Sequence, residues 1–460
     1  MKMTSTQRSA LFIAITTSFM GPFLISSVNV ALPTIEKAMQ LSSSELGWII
    51  NAFLLSSAVF LLPAGKIADN WGQVRTYRTG IVVFAVSSLL CGLATSGIAL
   101  IVFRVLQGVG AAMTTTTGAA ILVSLFPPNL RGRVLGINVA SVYLGLSMGP
   151  FIGGILTQQW GWHSIFFVSA PLGAVAAFLA FRWMKNNTMA QSSNGFDYIG
   201  SLLYGGFLIA FVYGASHLPN LFSWLVLGLS FILFPLFVIS QKNSANPLFK
   251  IELFTQNKLF AFSNLAALIN YSATFAVVFL VSLYLQKIKL MSPSQAGTLL
   301  VVQPIVQVLV SPVAGILSDK MGARGLASAG MLLISIGLFV FSTLTPYTSN
   351  YLIIGLLVVM GIGFGLFSSP NINTIMGSVT PQLLGVASGT AATMRIIGQM
   401  VSMTITALLF SIIFGNTPVN EVDNTLFLKA VNYGFITLGT LCVLGIWFSI
   451  FRGTNKNADR

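Results

Sequence analysis

GLSMGPFIGG, residues 145 to 154, sets four glycines and a proline into an apolar run, and its reading decides the fold. Gly145, Gly149 and Gly153 recur every four positions, so they share one helix face and let a neighbouring helix approach to backbone distance. Gly154 extends that bare surface. Pro150 removes one backbone donor and bends the helix at that point. The stretch therefore reads as a membrane helix built to move against its neighbour.

The rest of the chain agrees. It is 55% hydrophobic and only 7% charged, with a mean hydropathy of +0.87, which excludes a soluble domain. A span needs roughly 20 mostly apolar residues. Scanning on that basis gives fourteen spans, at 9 to 32, 45 to 64, 79 to 97, 99 to 126, 134 to 157, 164 to 184, 198 to 217, 221 to 240, 259 to 286, 296 to 318, 325 to 345, 350 to 378, 384 to 414 and 430 to 451. An even count puts both termini on one side. Lys and Arg near span ends are retained in the cytoplasm, and with both termini cytoplasmic Lys66, Arg75, Arg78, Arg131, Arg133, Lys320 and Arg324 all fall inside. The net charge of +14 then reflects topology and contact with anionic membrane lipids, not nucleic acid. Cys91 and Cys442 lie in apolar spans as free thiols, and no metal-ligand spacing or cofactor motif occurs. The first apolar segment outruns a signal-peptide core and reads as a retained helix of a multi-pass cell (inner) membrane protein.

The two halves repeat. Moving 250 positions lays GKIADNWG (65 to 72) on GILSDKMG (315 to 322), so that Gly65, Asp69 and Gly72 meet Gly315, Asp319 and Gly322. An offset of 253 sets Gly145 on Gly398. Matches that keep their order argue for duplication. Six spans precede residue 185, six follow residue 258, and the pair at 198 to 240 has no counterpart. The domain organisation expected is a six-helix bundle at 1–190, an inserted pair at 191–245 and a second bundle at 246–460.

VNVALPTI (28 to 35), GKIADNWG (65 to 72), RVLQGVGAAM (104 to 113) and GLSMGPFIGG (145 to 154) together resemble the major facilitator superfamily, in its fourteen-span drug:proton antiporter branch, over essentially the whole chain. SPNINTIM (369 to 376) and GVASG (385 to 389) also look like that branch. The resemblance implies an all-α membrane fold with two six-helix bundles and a substrate site between them. It further implies export by alternating access. The chain departs from the family at Asn70 and Gln73, where basic residues are usual, at His163, where arginine is usual, and at Leu24, where the family carries an aspartate.

Gating is assigned to the loop bearing Gly65, Asp69, Gly72 and Arg75, to its repeat Asp319, and to Gly145, Gly149, Pro150, Gly153 and Gly154. Asp69 can accept from a helix N-terminus and Arg75 can reach a neighbouring helix end. A guanidinium within a span costs roughly 2.5 to 3.5 kcal/mol unless it faces protein or water. Arg104 and Arg395 therefore each need a partner: backbone carbonyls in a structural role, a substrate anion, or a proton relay that the arginine supports. Gln107, Asn138, Tyr143, Asn270, Tyr271, Gln303, Gln307, Asn371 and Gln399 complete the candidate substrate site, because amides in lipid are costly and face the interior.

All nine Asp and Glu residues fall in loops or at span edges. Coupling to protons, the candidate ion, is left to Glu36, Asp69 or His163. With embedded arginines and no embedded acid, the substrate expected is a small lipophilic neutral or anionic compound. The alternatives are export of one endogenous metabolite such as a siderophore, or a sensor with a transporter fold. No acid pair or histidine cluster supports enzyme chemistry, and the expected assembly is a monomer.

Overall fold

A computed structural model describes residues 4–184, 195–380, 383–415 and 417–453, and no strand occurs among them. The first half is α1 (Ser5–Met39), α2 (Ser43–Trp71), α3 (Gln73–Gly92), α4 (Gly97–Leu125), α5 (Pro128–Trp160) and α6 (His163–Trp183). A pair follows, α7 (Tyr198–Ser216) and α8 (Leu221–Asn243). The second half is α9 (Ile251–Gln256), α10 (Lys258–Thr274), α11 (Ala276–Lys287), α12 (Pro293–Leu300), α13 (Val302–Met321), α14 (Ala323–Phe341), α15 (Asn350–Gly377), α16 (Leu384–Phe414) and α17 (Asn424–Phe451). α10 and α11 form one span interrupted at Phe275, and α12 and α13 another interrupted at Val301, which gives 14 candidate spans among the described residues.

The span count matches the sequence expectation, while most helices begin before its bounds and α3 and α14 stop short of them, at Gly92 and Phe341. Hydropathy falls off before a helix does, because the ends are set by caps. Ser42 with Glu45, and Ser292 with Gln295, form capping boxes that start α2 and α12 outside the apolar windows. Several placements change as a result, Glu252 on α9 and Asp319 on α13 among them. Asp69 lies within helix α2 and Glu36 within helix α1, so neither is a loop residue.

The duplication is visible in the backbone. α2 and α13 end on Gly72 (φ 102, ψ 133) and Gly322 (φ 83, ψ 139), and each glycine is at once the end of one helix and the start of the next. Only glycine takes that left-handed φ without strain. The sequence suggested a polar loop here; a single glycine makes the turn. The close approaches repeat too. A Cβ on Gly145 would lie 3.0 Å from Phe23 N of α1, and one on Gly398 would lie 2.6 Å from Leu268 O of α10.

The inserted pair sits to one side. α7 packs on α2 and on α16, bridging the two halves. Tyr204 Oη donates to Ala58 O at 3.0 Å, and Ser411 Oγ donates to Leu218 O at 2.8 Å. α8 packs mainly on α7 and turns Trp224, Leu225, Phe231 and Ile232 outward, as a lipid-facing helix must.

Candidate functional site between the halves

A cavity of about 360 Å³ lies between the halves, walled by α1, α2, α3, α4 and α5 on one side and by α10, α15, α16 and residues 247–250 on the other. Its mouth, at the face where α1 begins and α17 ends, is lined by Lys66, Asp69, Gln73 and Lys250. Its deep end is lined by Tyr143, Tyr271 and Arg395, with a narrower recess beyond that reaches Phe53 and Gln399.

Glycine placement explains how these side chains converge. Bare faces on α5 and α16 let α1 and α10 approach closely, so Tyr143 and Tyr271 meet across the halves with their hydroxyls 2.8 Å apart. Asn138 accepts from Ser18 Oγ at 2.7 Å, tying α5 to α1 at the wall. Asn371 lines the cavity while donating to Ser263 O at 3.0 Å and accepting from Arg452 Nη1 at 3.1 Å. Arg452, one residue past α17, is buried, and burial together with the nearby Arg324 charge lowers its guanidinium to about 10. Among the charged residues that line the cavity, Lys66, Lys250 and Arg395 face a single carboxylate, Asp69. The field within therefore favours an anion or a hydrogen-bond acceptor.

The opposite face is shut. Gly154 lies against the Pro293 carbonyl, and Gly297 against the Pro150 carbonyl, so the two halves touch backbone to backbone. Hydrogen bonds tie the seal: Gln286 Nε2 to Val30 O (2.9 Å), Ser294 N to Gln158 Oε1 (3.2 Å), Ser43 Oγ to Gly415 O (2.9 Å) and Asn420 N to Glu36 Oε1 (2.9 Å). Glu36 is 1% exposed, and Lys287 Nζ donates to Asn420 O at 3.0 Å beside it.

Tyr143, Tyr271, Asn138, Asn371 and Arg395 are thus brought together, and Gln399 lines the recess. Several candidate binding residues lie off the cavity. Arg104 is buried inside the first half, donating to Ile49 O at 3.1 Å and Gln107 Oε1 at 2.6 Å, with its guanidinium 4.5 Å from the Phe53 ring centre. Gln107 passes the contact on to Ser88 Oγ at 2.7 Å. Neither lines the cavity; α2 gives Arg104 its carbonyl partner and α3 gives Gln107 its hydroxyl, while Arg104 Nη2 is buried without a hydrogen-bond partner among the described residues. Asn270 is buried without lining the cavity, and Gln303 and Gln307 are buried on α13, again off the cavity.

The gating residues divide. Gly145, Gly149 and Gly153 pack on α1 within one half, and only Pro150 and Gly154 belong to the seal. Gly65 packs on Thr116 of α4. The side chains of Asp69 and Arg75 make no hydrogen bond among the described residues; Asp69 lines the open mouth and Arg75 is exposed. The Asp319 side chain lies outside the described ones. His163 stacks on Trp162 at 3.7 Å, away from the cavity.

Sequence reasoning missed the threonines 114 to 117 on α4, all of which line the cavity. Thr116 Oγ1 donates to Leu61 O at 3.0 Å and Thr117 Oγ1 to Met113 O at 2.6 Å. Such hydroxyls pair with backbone and leave a wall that is polar but uncharged. Four consecutive threonines in an apolar span were the available signal. Residues 247–250 were also missed, because they read as a connection between spans.

Comparison with known proteins follows the same outline. The family model described as Major Facilitator Superfamily matches residues 11–245 and 264–460. The chain is 30% identical over 442 residues to a riboflavin transporter, RibZ, of Clostridioides difficile strain 630, covering 95% of this chain and 96% of that one. It is 29% identical over 389 residues to a tetracenomycin C resistance and export protein of Streptomyces glaucescens, covering 84% of this chain and 72% of that one. The fold is similar to a bacterial homolog of the human lysosomal transporter Spinster, crystallised in an inward-facing and unoccupied conformation. There the TM-score is 0.70 at 17% identity, with 98% of each chain covered.

Proposed function

The chain belongs to the major facilitator superfamily, and on that premise we propose that it exports small lipophilic compounds, neutral or anionic, by alternating access. As a multi-pass membrane secondary transporter it needs a site reached from one side at a time, and the observation that carries the reading is the one-sided cavity. Its deep end holds Arg395 beside the Tyr143–Tyr271 pair while the far face is closed by Gly154 and Gly297. With both termini cytoplasmic, as the basic residues favour, this is the inward-open state and the mouth loads from the cytoplasm. Arg395 supplies a charge-assisted donor and the tyrosines supply hydroxyls, a set that suits a carboxylate, an imide or a carbonyl-rich ring system. A permanent cation would meet three positive charges against one negative.

Among the described residues no carboxylate lines the deep end. Asp69 lines the mouth and Glu36 is part of the seal, so coupling to protons runs through the gates, one acid at each, rather than through the substrate site. A dedicated metabolite exporter is the second reading, favoured by similarity to a riboflavin transporter over nearly the full length of both chains. Purified protein in liposomes, loaded separately with riboflavin, an anionic dye and a quaternary ammonium dye, tests these readings. Flux of the first two, lost in Arg395→Gln, is the expected result. Flux of the cationic dye alone would overturn the charge argument, and riboflavin flux alone would select the second reading.

A further inference from the structure

The inserted pair α7–α8 carries a polar network whose side chains, Gln241 and Asp197, line neither the cavity nor the seal. Gln241, two residues before the end of α8, is 3% exposed on a helix that otherwise turns mostly to lipid. Its Nε2 donates to Asp197 Oδ2 at 2.8 Å, while its Oε1 accepts from the backbone N–H groups of Leu248 (2.7 Å) and Phe249 (3.1 Å). Asp197 in turn caps α7, accepting from Gly200 N at 2.8 Å.

The chemistry leaves one arrangement. An ionised carboxylate can only accept, so Asp197 demands the NH₂ end of the amide. That turns the carbonyl oxygen toward the chain, where two adjacent N–H groups need an acceptor. A flipped amide would set acceptor against acceptor at one end and donors against donors at the other. The packing is equally close, since a Cβ on Gly200 would fall on both Asp197 Oδ2 and Gln241 Nε2.

What this network holds is part of the cavity. Residues Pro247 to Lys250 line the mouth beside Lys66, Asp69 and Gln73. Leu248 and Phe249 pack against the main hydrophobic core. The Phe249 ring lies 5.1 Å from that of Phe254, which lies 5.4 Å from Phe260 of α10. Seven residues between α8 and α9 carry no helix, and a free segment of that kind would move in and out of the mouth.

We propose that residues 247–250 form a strap that makes a fixed wall of the cavity mouth, with Phe249 setting the size of compound that passes and with Gln241 and Asp197 as its positioning residues. The inserted helix pair then has a function: it anchors the strap from outside the two moving halves, held to them through α7. Phe249 is the specificity-determining residue and its effect depends on being held still. The inference rests on the cavity being the substrate route.

The test reads the strap without transport as well as with it. Phe249→Cys is placed in otherwise intact protein, where the natural Cys91 and Cys442 are both buried, and a bulky maleimide is added at the mouth side in proteoliposomes. Adding Asp197→Asn or Gln241→Leu is expected to speed labelling roughly tenfold, since a charge-assisted tie of this kind is worth about that factor. Asp197→Glu, which keeps the acceptor-only chemistry, restores much of the protection. Unchanged labelling in both variants overturns the anchor, whatever the substrate proves to be. Phe249→Ala leaves the anchor intact and tests the wall even where an anchor variant does not fold. Its uptake of riboflavin linked to a bulky group should rise at least fivefold relative to riboflavin itself. An unchanged ratio, with both compounds still carried, refutes the sizing role while leaving the transport reading standing.

Discussion

Gly149 and Gly154 belong to one run of sequence, yet alanine at each should have opposite consequences. At Gly154 the added Cβ would stand 2.5 Å from Pro293 O and 3.1 Å from Pro293 C. Carbon atoms normally meet at roughly 3.5 Å, so the seal must shift or bear the overlap. The atoms it meets are backbone at the start of α12, where Pro293 and the Ser292–Gln295 capping box leave little freedom to give way. Overpacking of this kind costs about 1–3 kcal/mol. The halves touch here only while the far face is closed, so the cost falls on one state and shifts the equilibrium toward opening by about 5- to 150-fold. At Gly149 the Cβ would stand 2.5 Å from Ser26 Cβ and 2.9 Å from Phe23 O, an overlap of similar size. Those atoms belong to α1, which stays with α5 as the half moves, so both states suffer and the population ratio does not change. Helix propensity gained by replacing glycine, up to about 1 kcal/mol, is also common to both states. The assay uses Thr115→Cys, which lines both the cavity and its recess, labelled by an impermeant maleimide from the sealed face. Gly154→Ala should raise the labelling rate by at least fivefold with little loss of protein. Gly149→Ala should lower thermal stability without raising it, and Gly136→Ala, with nothing within 4 Å, serves as control. Equal labelling in the two variants would refute the division of the motif into an internal face and a gate face.

Arg104→Ala should lower stability by about 3 kcal/mol, because Ile49 O and Gln107 lose a buried charged donor; the thermal unfolding temperature in detergent should fall while labelling of Thr115→Cys from the cavity mouth stays unchanged in the surviving protein. Tyr143→Phe and Tyr271→Phe share one hydrogen bond, so a double-mutant cycle on the exposure of Thr115→Cys should return a coupling of about 1 kcal/mol. Glu36→Gln keeps an acceptor for Asn420 N and should leave the far face closed, whereas Glu36→Ala should open it, as read by the same labelling. Asp423 caps α17 by accepting from Thr425 N at 2.8 Å, and its bonds with Thr425 hold the carboxyl below its usual value of 3.8. A depressed folded value means that its stabilisation is present above pH 3.8 and fades as pH falls through the lower folded value. Asp423→Ala should therefore lower stability at neutral pH, and the gap to the natural protein should close in strong acid.

Membrane folds are unusually legible in sequence, and the reasons show which parts of this site were readable. Hydropathy reports where a helix meets lipid, so the fourteen spans could be counted from apolar runs alone. The repeat could be read because Gly72 and Gly322 are held to one backbone geometry, which only glycine satisfies cheaply. Which neighbour a polar side chain meets is a different kind of quantity. Arg104 and Arg395 are both arginines in glycine-containing spans, and the cost of burial demands a partner for each without saying which. The partner of Arg104 is a carbonyl on α2 more than fifty residues away in sequence; Arg395 opens on the cavity instead. Gln303, Gln307 and Asn270 obey the rule that amides face inward, yet inward on a helix of a bundle includes the contact with its own neighbours. Only the angle at which two helices cross separates that contact from the cavity, and no single-chain pattern encodes it. The strap escaped for the reverse reason. Residues 247–250 form no helix and are only moderately apolar, so they read as a connection, and their place in the cavity wall depends on Gln241, a residue that hydropathy assigns to the end of a lipid-facing span. The informative anomaly was that amide: a side chain able to accept from two backbone donors, following a run as apolar as α8, calls for a chain segment folded back onto it.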